Sequence, residues 1–186
     1  GAQLAMMEDA EQTGIFVEKM ADFFRYNVKK GQEDATLGEE LEAVDNYIYI
    51  LNVRFAGDIH FSKDVDESLE NVRVPSMILQ PVVENAVNHG IRDIEWEGKI
   101  HLTVTGDADY IRISVKDNGK GMTPEQIEGV LTGNKKYKKE EGDSTGIGMN
   151  NVISRLELYY EETGLVEINS EGEGKGTEVV IYIPVN

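Results

Sequence analysis

Four short stretches carry residue types that chemistry needs. In the first, Glu84, Asn85, Asn88 and His89 recur at helical spacings of 3 and 4, while Ile78, Leu79, Val82, Val83 and Ala86 supply the apolar face. Such spacing turns the amides away from the core. An asparagine oxygen is a hard, neutral ligand suited to Mg2+, which keeps several waters and takes further oxygens from phosphates. A plain solvent face ending in a helix-terminal asparagine is the alternative. The second stretch, Asp117-Asn118-Gly119-Lys120-Gly121-Met122, ends an alternating segment. Glycines two apart let backbone approach a flat ligand, and the carboxylate can accept from an exocyclic amine such as that of adenine. Asp-Asn-Gly is equally an ordinary turn. The third, Gly146-Ile147-Gly148-Met149, opens a helical pattern, where free N–H groups and the helix dipole favour an anion. The fourth, Gly172-Glu173-Gly174-Lys175-Gly176-Thr177, precedes a strand and reads as a second close approach or a flexible turn.

The elements that must position these stretches follow from periodicity. Ile59, Phe61, Lys63 and Val65 alternate with polar neighbours, as do Ile100, Leu102 and Val104, then Ile111, Ile113 and Val115. Val166-x-Ile168 and Val179-x-Ile181-x-Ile183 add two more, so the sheet has about five strands. Gly106-Asp107-Ala108-Asp109 makes a hairpin of the second and third. Helices are predicted over Pro75 to His89, Pro124 to about Leu131 and about Met149 to Tyr160, with Thr123-Pro124-Glu125-Gln126 as a capping box. The fold class is α+β: a two-layer sandwich of a mixed sheet with helices on one face.

Ahead of it stands a helical hairpin. Leu41, Val44, Ile48, Leu51 and Phe55 form a coiled-coil-like seam whose start is capped by Thr36-x-x-Glu39. Leu4, Met7, Phe16, Met20, Phe23, Phe24 and Val28 make a looser stripe, stopped at Lys29-Lys30-Gly31. Two domains are expected: the helical hairpin over 1–57, and the sheet-bearing unit over 58–186. Thr132 to Thr145 is too polar and too long for a simple connection and reads as a lid. Its Lys135 to Lys139 cluster is either a phosphate sensor or a solvated loop balanced by Glu140, Glu141 and Asp143.

Composition narrows the partners. With 18 basic and 35 acidic residues the net charge is −17, which excludes a general polyanion surface, so no nucleic acid is expected. The absence of cysteine excludes disulfides, thiolate metal sites and a cysteine nucleophile, and it fits a reducing, cytoplasmic setting.

The order of these stretches resembles the ATP-binding domain of the sensor histidine kinases, in the superfamily that includes DNA gyrase. Leu79-Gln80-Pro81-Val82-Val83-Glu84-Asn85-Ala86-Val87-Asn88-His89-Gly90 is similar to the N box of the autolysis-regulating and sugar-sensing membrane kinases. Phe23-Phe24-Arg25-Tyr26, Glu39-Glu40-Leu41, Tyr47 and Arg54-Phe55 resemble the segment ahead of it. The resemblance implies Mg2+ on Asn85, a phosphate contact at Asn88, and His89 beside the nucleotide. It implies that Asp117 binds the adenine amine, that Gly119, Gly121 and Met122 line the base pocket, and that Gly146, Gly148 and Met149 approach the phosphates. Thr177 would support Asp117 through water.

A response regulator and a homodimer through the N-terminal helices are the implied partners, and the parent is implied to be a membrane-anchored kinase. Two departures bear on the reaction. Pro81 stands where gyrase-type hydrolases carry a general-base glutamate, which argues against efficient hydrolysis. No histidine precedes His60, so the family's acceptor histidine is missing. With Gly1 at the start, the chain is expected to begin just after that acceptor. His60 and His101 read as strand residues.

Overall fold

In the computed structural model, which describes residues 7, 10–28, 34–55, 59–133 and 145–185, chain order runs as follows. Helix α1 (Glu11–Val28) and helix α2 (Leu37–Arg54) flank the short strand β1 (Asp34–Thr36). Strands β2 (Ile59–Val65) and β3 (Arg73–Pro75) lead to helix α3 (Gln80–Asn85), which continues as a π-helical turn over Ala86–Ile91. Strands β4 (Gly98–Gly106) and β5 (Tyr110–Asp117) precede helices α4 (Pro124–Thr132) and α5 (Thr145–Tyr160), and strands β6 (Val166–Asn169) and β7 (Thr177–Pro184) close the fold.

The five alternating segments form one mixed sheet in the order β2-β4-β5-β7-β6. Only β2 and β4 are parallel. A parallel pair needs a crossover, and α3 supplies it, which lays the amide-bearing helix across the sheet. Ile100, Leu102, Val104, Ile111, Ile113, Val115, Val179, Ile181 and Ile183 face the helices and are buried. Lys99, His101, Arg112 and Lys116 alternate with them on the open face. His101 Nδ1 lies 2.6 Å from Ser62 Oγ there, and His60 Nε2 pairs with Glu97 Oε1 at 2.6 Å, so both behave as surface strand residues. Asp107 turns the β4–β5 hairpin by accepting from the amides of Asp109 and Tyr110. The capping box of α4 is complete, with Thr123 and Gln126 each accepting the other's backbone N–H.

Three expectations need correction. The helix predicted from Pro75 starts at Gln80. Pro75 instead ends β3, which pairs with β1, and residues 76–79 form a bend in which Met77 has φ 60°. Helix α5 starts at Thr145 rather than near Met149, so Gly146 and Gly148 lie within its first turn. The seam of α2 is buried at Leu41, Val44 and Ile48, yet these join Val74, Ile78, Leu79 and Val82 in one core. A 3-and-4 spacing announces a buried face without naming its partner. The α1–α2 pairing is present beside it, with Phe23 stacked on Tyr47 at 6.1 Å between centroids. In the looser stripe, Met7, Phe24 and Val28 are exposed. Leu4, the Lys29-Lys30-Gly31 stop and the Lys135 to Lys139 cluster lie outside the described residues, as do all but the ends of the expected lid.

Candidate functional site

Asp117 is the last residue of β5, opposite Ile100 of β4 and Thr177 of β7. The alternation that buries Ile113 and Val115 carries Asp117 to the same side, leaving it 7% exposed. Burial pushes its carboxyl up to about 6, against the pull of the backbone N–H groups of Gly119 and Thr177. Oδ1 accepts from Gly119 N at 2.9 Å. Ionised at neutral pH, it is an acceptor able to take an amine donor from a ligand.

Close backbone approach builds the walls around it. Gly90, at the end of the π turn, lies so near that a Cβ there would meet Asp117 Oδ1 at 2.7 Å. Its carbonyl accepts from Lys120 N at 2.9 Å, and a Cβ on Gly119 would fall inside that carbonyl. On the other flank Gly176 N donates to Gly119 O at 3.1 Å, and a Cβ on Gly121 would strike Gly172 O. Ser170 Oγ accepts from Met122 N at 3.0 Å and donates to Gly176 O at 2.7 Å. The second and fourth glycine stretches are therefore one double-layered loop. Thr177 is buried at its base, and Met122 packs half-buried against the core.

The amide face is rearranged relative to expectation. A π turn advances fewer degrees per residue than an α-helix and is common at functional sites, so the 3-and-4 alignment does not hold through Ala86–Ile91. Asn88 is exposed, His89 is part-buried, and Asn85 lies about one turn before Gly90. Asn85 Oδ1 is shielded from solvent without a hydrogen-bond partner. An orphaned buried oxygen of this kind fits a single hard-cation ligand. Among the described residues no cluster of three His, Cys, Asp or Glu side chains could hold a metal.

At the start of α5, a Cβ placed on Gly148 would meet nothing within 4 Å among the described residues. Met149 is fully buried in the core, so its side chain cannot reach a phosphate and only its backbone is available. Gly146 lies in the same first turn. Sequence reasoning gave no role to Gly90, Ser170 or Trp96. The indole of Trp96 donates to Asn118 O at 2.7 Å, beside Asp117. Gly90 stood in the quoted motif without a role, and the Ser170 and Trp96 contacts had no local signal.

Residues 73–186 match the model of the histidine kinase-, DNA gyrase B- and HSP90-like ATPases, and residues 2–59 match the histidine kinase model. The chain belongs to this ATPase family. Within it, the similar proteins are sensor histidine kinases. Sensor histidine kinase YpdA of Escherichia coli is 35% identical over 166 residues, covering 89% of this chain and 27% of that protein. Sensor histidine kinase YesM of Bacillus subtilis is 29% identical, covering 97% of this chain and 29% of its own length. The chain thus spans about three-tenths of the length of these relatives. Among solved structures, the mycobacterial sensor histidine kinase MprB has a TM-score of 0.60 at 18% identity, covering 83% of this chain and 97% of that one. The histidine kinase domain of the Erythrobacter litoralis blue-light-activated kinase has a TM-score of 0.52 at 19% identity and covers 98% of this chain and 80% of its own. The shared fold is that of histidine kinase catalytic domains.

Proposed function

We propose that residues 58–186 grip Mg·ATP and present its γ-phosphate to a histidine on an upstream helix that this chain does not carry, and that residues 1–57 are part of the hairpin through which two copies pair. The observation that carries the reading is the buried Asp117 carboxylate, pressed against the last turn of the helix that bears Asn85. In this reading Asp117 accepts from the adenine amine, Gly119, Gly121 and Met122 flank the base, and Thr177 supports Asp117, through water as well as through its amide. Asn85 Oδ1 holds Mg2+, Asn88 and His89 lie along the phosphates, and the first turn of α5 at Gly146 and Gly148 offers N–H groups to them, with Met149 contributing backbone only. Bound there, Mg2+ would neutralise phosphate charge during transfer.

Transfer is favoured over hydrolysis by the donor set. Pro81 offers no carboxylate at the first turn of α3, and Glu84 Oε1 is engaged by Gln80 Nε2 at 2.9 Å. Positioning and electrostatics then carry the rate. A response regulator would take the phosphoryl group from the histidine, and the chain would work on the cytoplasmic side of a membrane-anchored kinase. No described helix is itself long and apolar enough to cross a membrane.

Labelled ATP tests the reading. Incubated alone, the chain is expected to bind nucleotide without acquiring acid-labile phosphate. A longer polypeptide of the same kinase carrying the acceptor helix should become labelled when this chain is added. Acid-labile label on the chain alone, or steady release of inorganic phosphate, would contradict the reading.

A further inference from the structure

The bend at residues 76–79 is held from two sides by groups the proposed chemistry does not use. Glu40, in the first turn of α2, is 1% exposed. Its Oε2 accepts from Met77 N at 3.0 Å, and its Oε1 accepts from Ile78 N at 2.7 Å and Leu79 N at 3.2 Å. From the other side, the Arg155 guanidinium of α5 donates to Ser76 O. Burial raises the Glu40 carboxyl above the usual range, while the three N–H groups and the Arg155 charge draw it back.

Two features make this more than a buried hydrogen-bond cluster. Met77 is a non-glycine residue at φ 60°, a left-handed conformation that long side chains rarely adopt and that persists only where the surroundings over-determine it. The three amides Glu40 collects lie at the approach to α3, where free N–H groups otherwise need a cap, and Leu79 at the N-cap position has no side-chain cap. A carboxylate from a helix 37 to 39 residues earlier in sequence thus does the work of a local capping residue.

We propose that Glu40 is a positioning residue for the nucleotide site: it holds the left-handed bend at Met77 and so sets where α3 delivers Asn85 and where its π turn brings Gly90 against Asp117. The inference rests on the nucleotide reading above. Through Glu40 a displacement of α2, the second helix of the hairpin, is transmitted to the helix along which the nucleotide would lie. Gln80 gives α1 a weaker connection to the same helix, because its Nε2 donates to Asn27 Oδ1 at 3.3 Å as well as to Glu84.

The test compares wild type with Glu40→Gln, Glu40→Asp and Ile183→Val. Glu40→Gln keeps the size and one acceptor oxygen but sets an amide NH2 against a backbone N–H. Glu40→Asp keeps the charge with shorter reach and serves if the glutamine variant fails to fold. Ile183→Val is a core control on β7 away from the bend. Hydrogen exchange at the Met77, Ile78, Leu79 and Lys120 amides and the Kd for Mg·ATP are measured for each.

In Glu40→Gln, exchange at all four amides should quicken tenfold or more and Kd should rise about tenfold, with smaller changes in Glu40→Asp. Ile183→Val should move neither selectively. Unchanged Lys120 exchange in Glu40→Gln, or changes no larger than those in the valine control, would overturn the proposal. Failure of the nucleotide reading has a different signature: wild type would not bind Mg·ATP, or Asp117→Asn would bind like wild type. The Lys120 amide would still report whether Glu40 positions the Gly90 contact.

Discussion

The two ends of the candidate site are both written in glycine, and the glycines do opposite things. At the Asp117 end, Gly90 and Gly119 are small because protein backbone and the Asp117 carboxylate occupy the space a side chain would need. At the start of α5, a Cβ on Gly148 would meet no atom of the described residues within 4 Å. The first end is closed and built from three segments clamped together, which fixes the backbone around Asp117. The second, among the described residues, has no side chain or backbone against Gly148, and a helix start offers free N–H groups to an anion. A purine site needs the rigidity of the first, and a phosphate site needs the access of the second.

Substitutions should separate these roles by kind as well as by size. The largest effect is expected from Gly119→Ala, whose methyl group must displace the Gly90 carbonyl; urea unfolding should show a loss of about 3 kcal/mol or more, or no cooperative transition at all. Next is Asp117→Asn, which replaces one carboxylate oxygen by an NH2 donor and removes the charge where the proposed reading puts the adenine amine. Adenine-nucleotide affinity should fall about 10- to 100-fold by calorimetric titration. The same variant should be more stable than wild type at neutral pH. The folded carboxyl sits at about 6 against 3.8 for an aspartate in water, so its ionisation costs the empty protein stability on the order of 2–3 kcal/mol. That cost appears as pH rises through about 4 to 6, and the asparagine variant escapes it.

A pH titration sharpens the same end. On the proposed reading the ionised carboxylate is the acceptor, so ADP affinity in wild type should fall about tenfold between pH 7 and pH 5, as Asp117 protonates around pH 6. The fluorescence of Trp96, the single tryptophan, lies close enough to report the binding. The smallest effect belongs to Gly148→Ala: no measurable change in stability, and a few-fold loss for ATP with little for adenosine. Equal losses for ATP and adenosine would erase the distinction between the two ends.

How much of this was readable in the sequence follows the range of the interactions. The strands were legible because a period of two survives in any sheet buried on one side, and the Thr123 cap because both its partners lie within three residues. The start of α3 was not legible. Proline at the first helical turn is common, but Pro75 is drawn into β3, and the carboxylate that caps the following bend comes from Glu40, far away in sequence. The π turn over Ala86–Ile91 likewise has no local signature and shifted the amides from their expected alignment. The four motif stretches were visible as residue types. That Gly119 and Gly90 press together while no described residue crowds Gly148 is a property of the packing, and the letters alone are the same.

On the proposed reading Asp117 and Asn85 serve one bound nucleotide, the first at its base and the second through its cation. Titration of ATP with Mg2+ and with a chelator into wild type, Asp117→Asn and Asn85→Ala tests it directly. The expected result is that Asp117→Asn weakens binding in both conditions, whereas Asn85→Ala abolishes the gain from Mg2+ and leaves metal-free binding near the wild-type value. Wild-type-like binding by both variants, or a loss at Asn85→Ala that is indifferent to Mg2+, would contradict it.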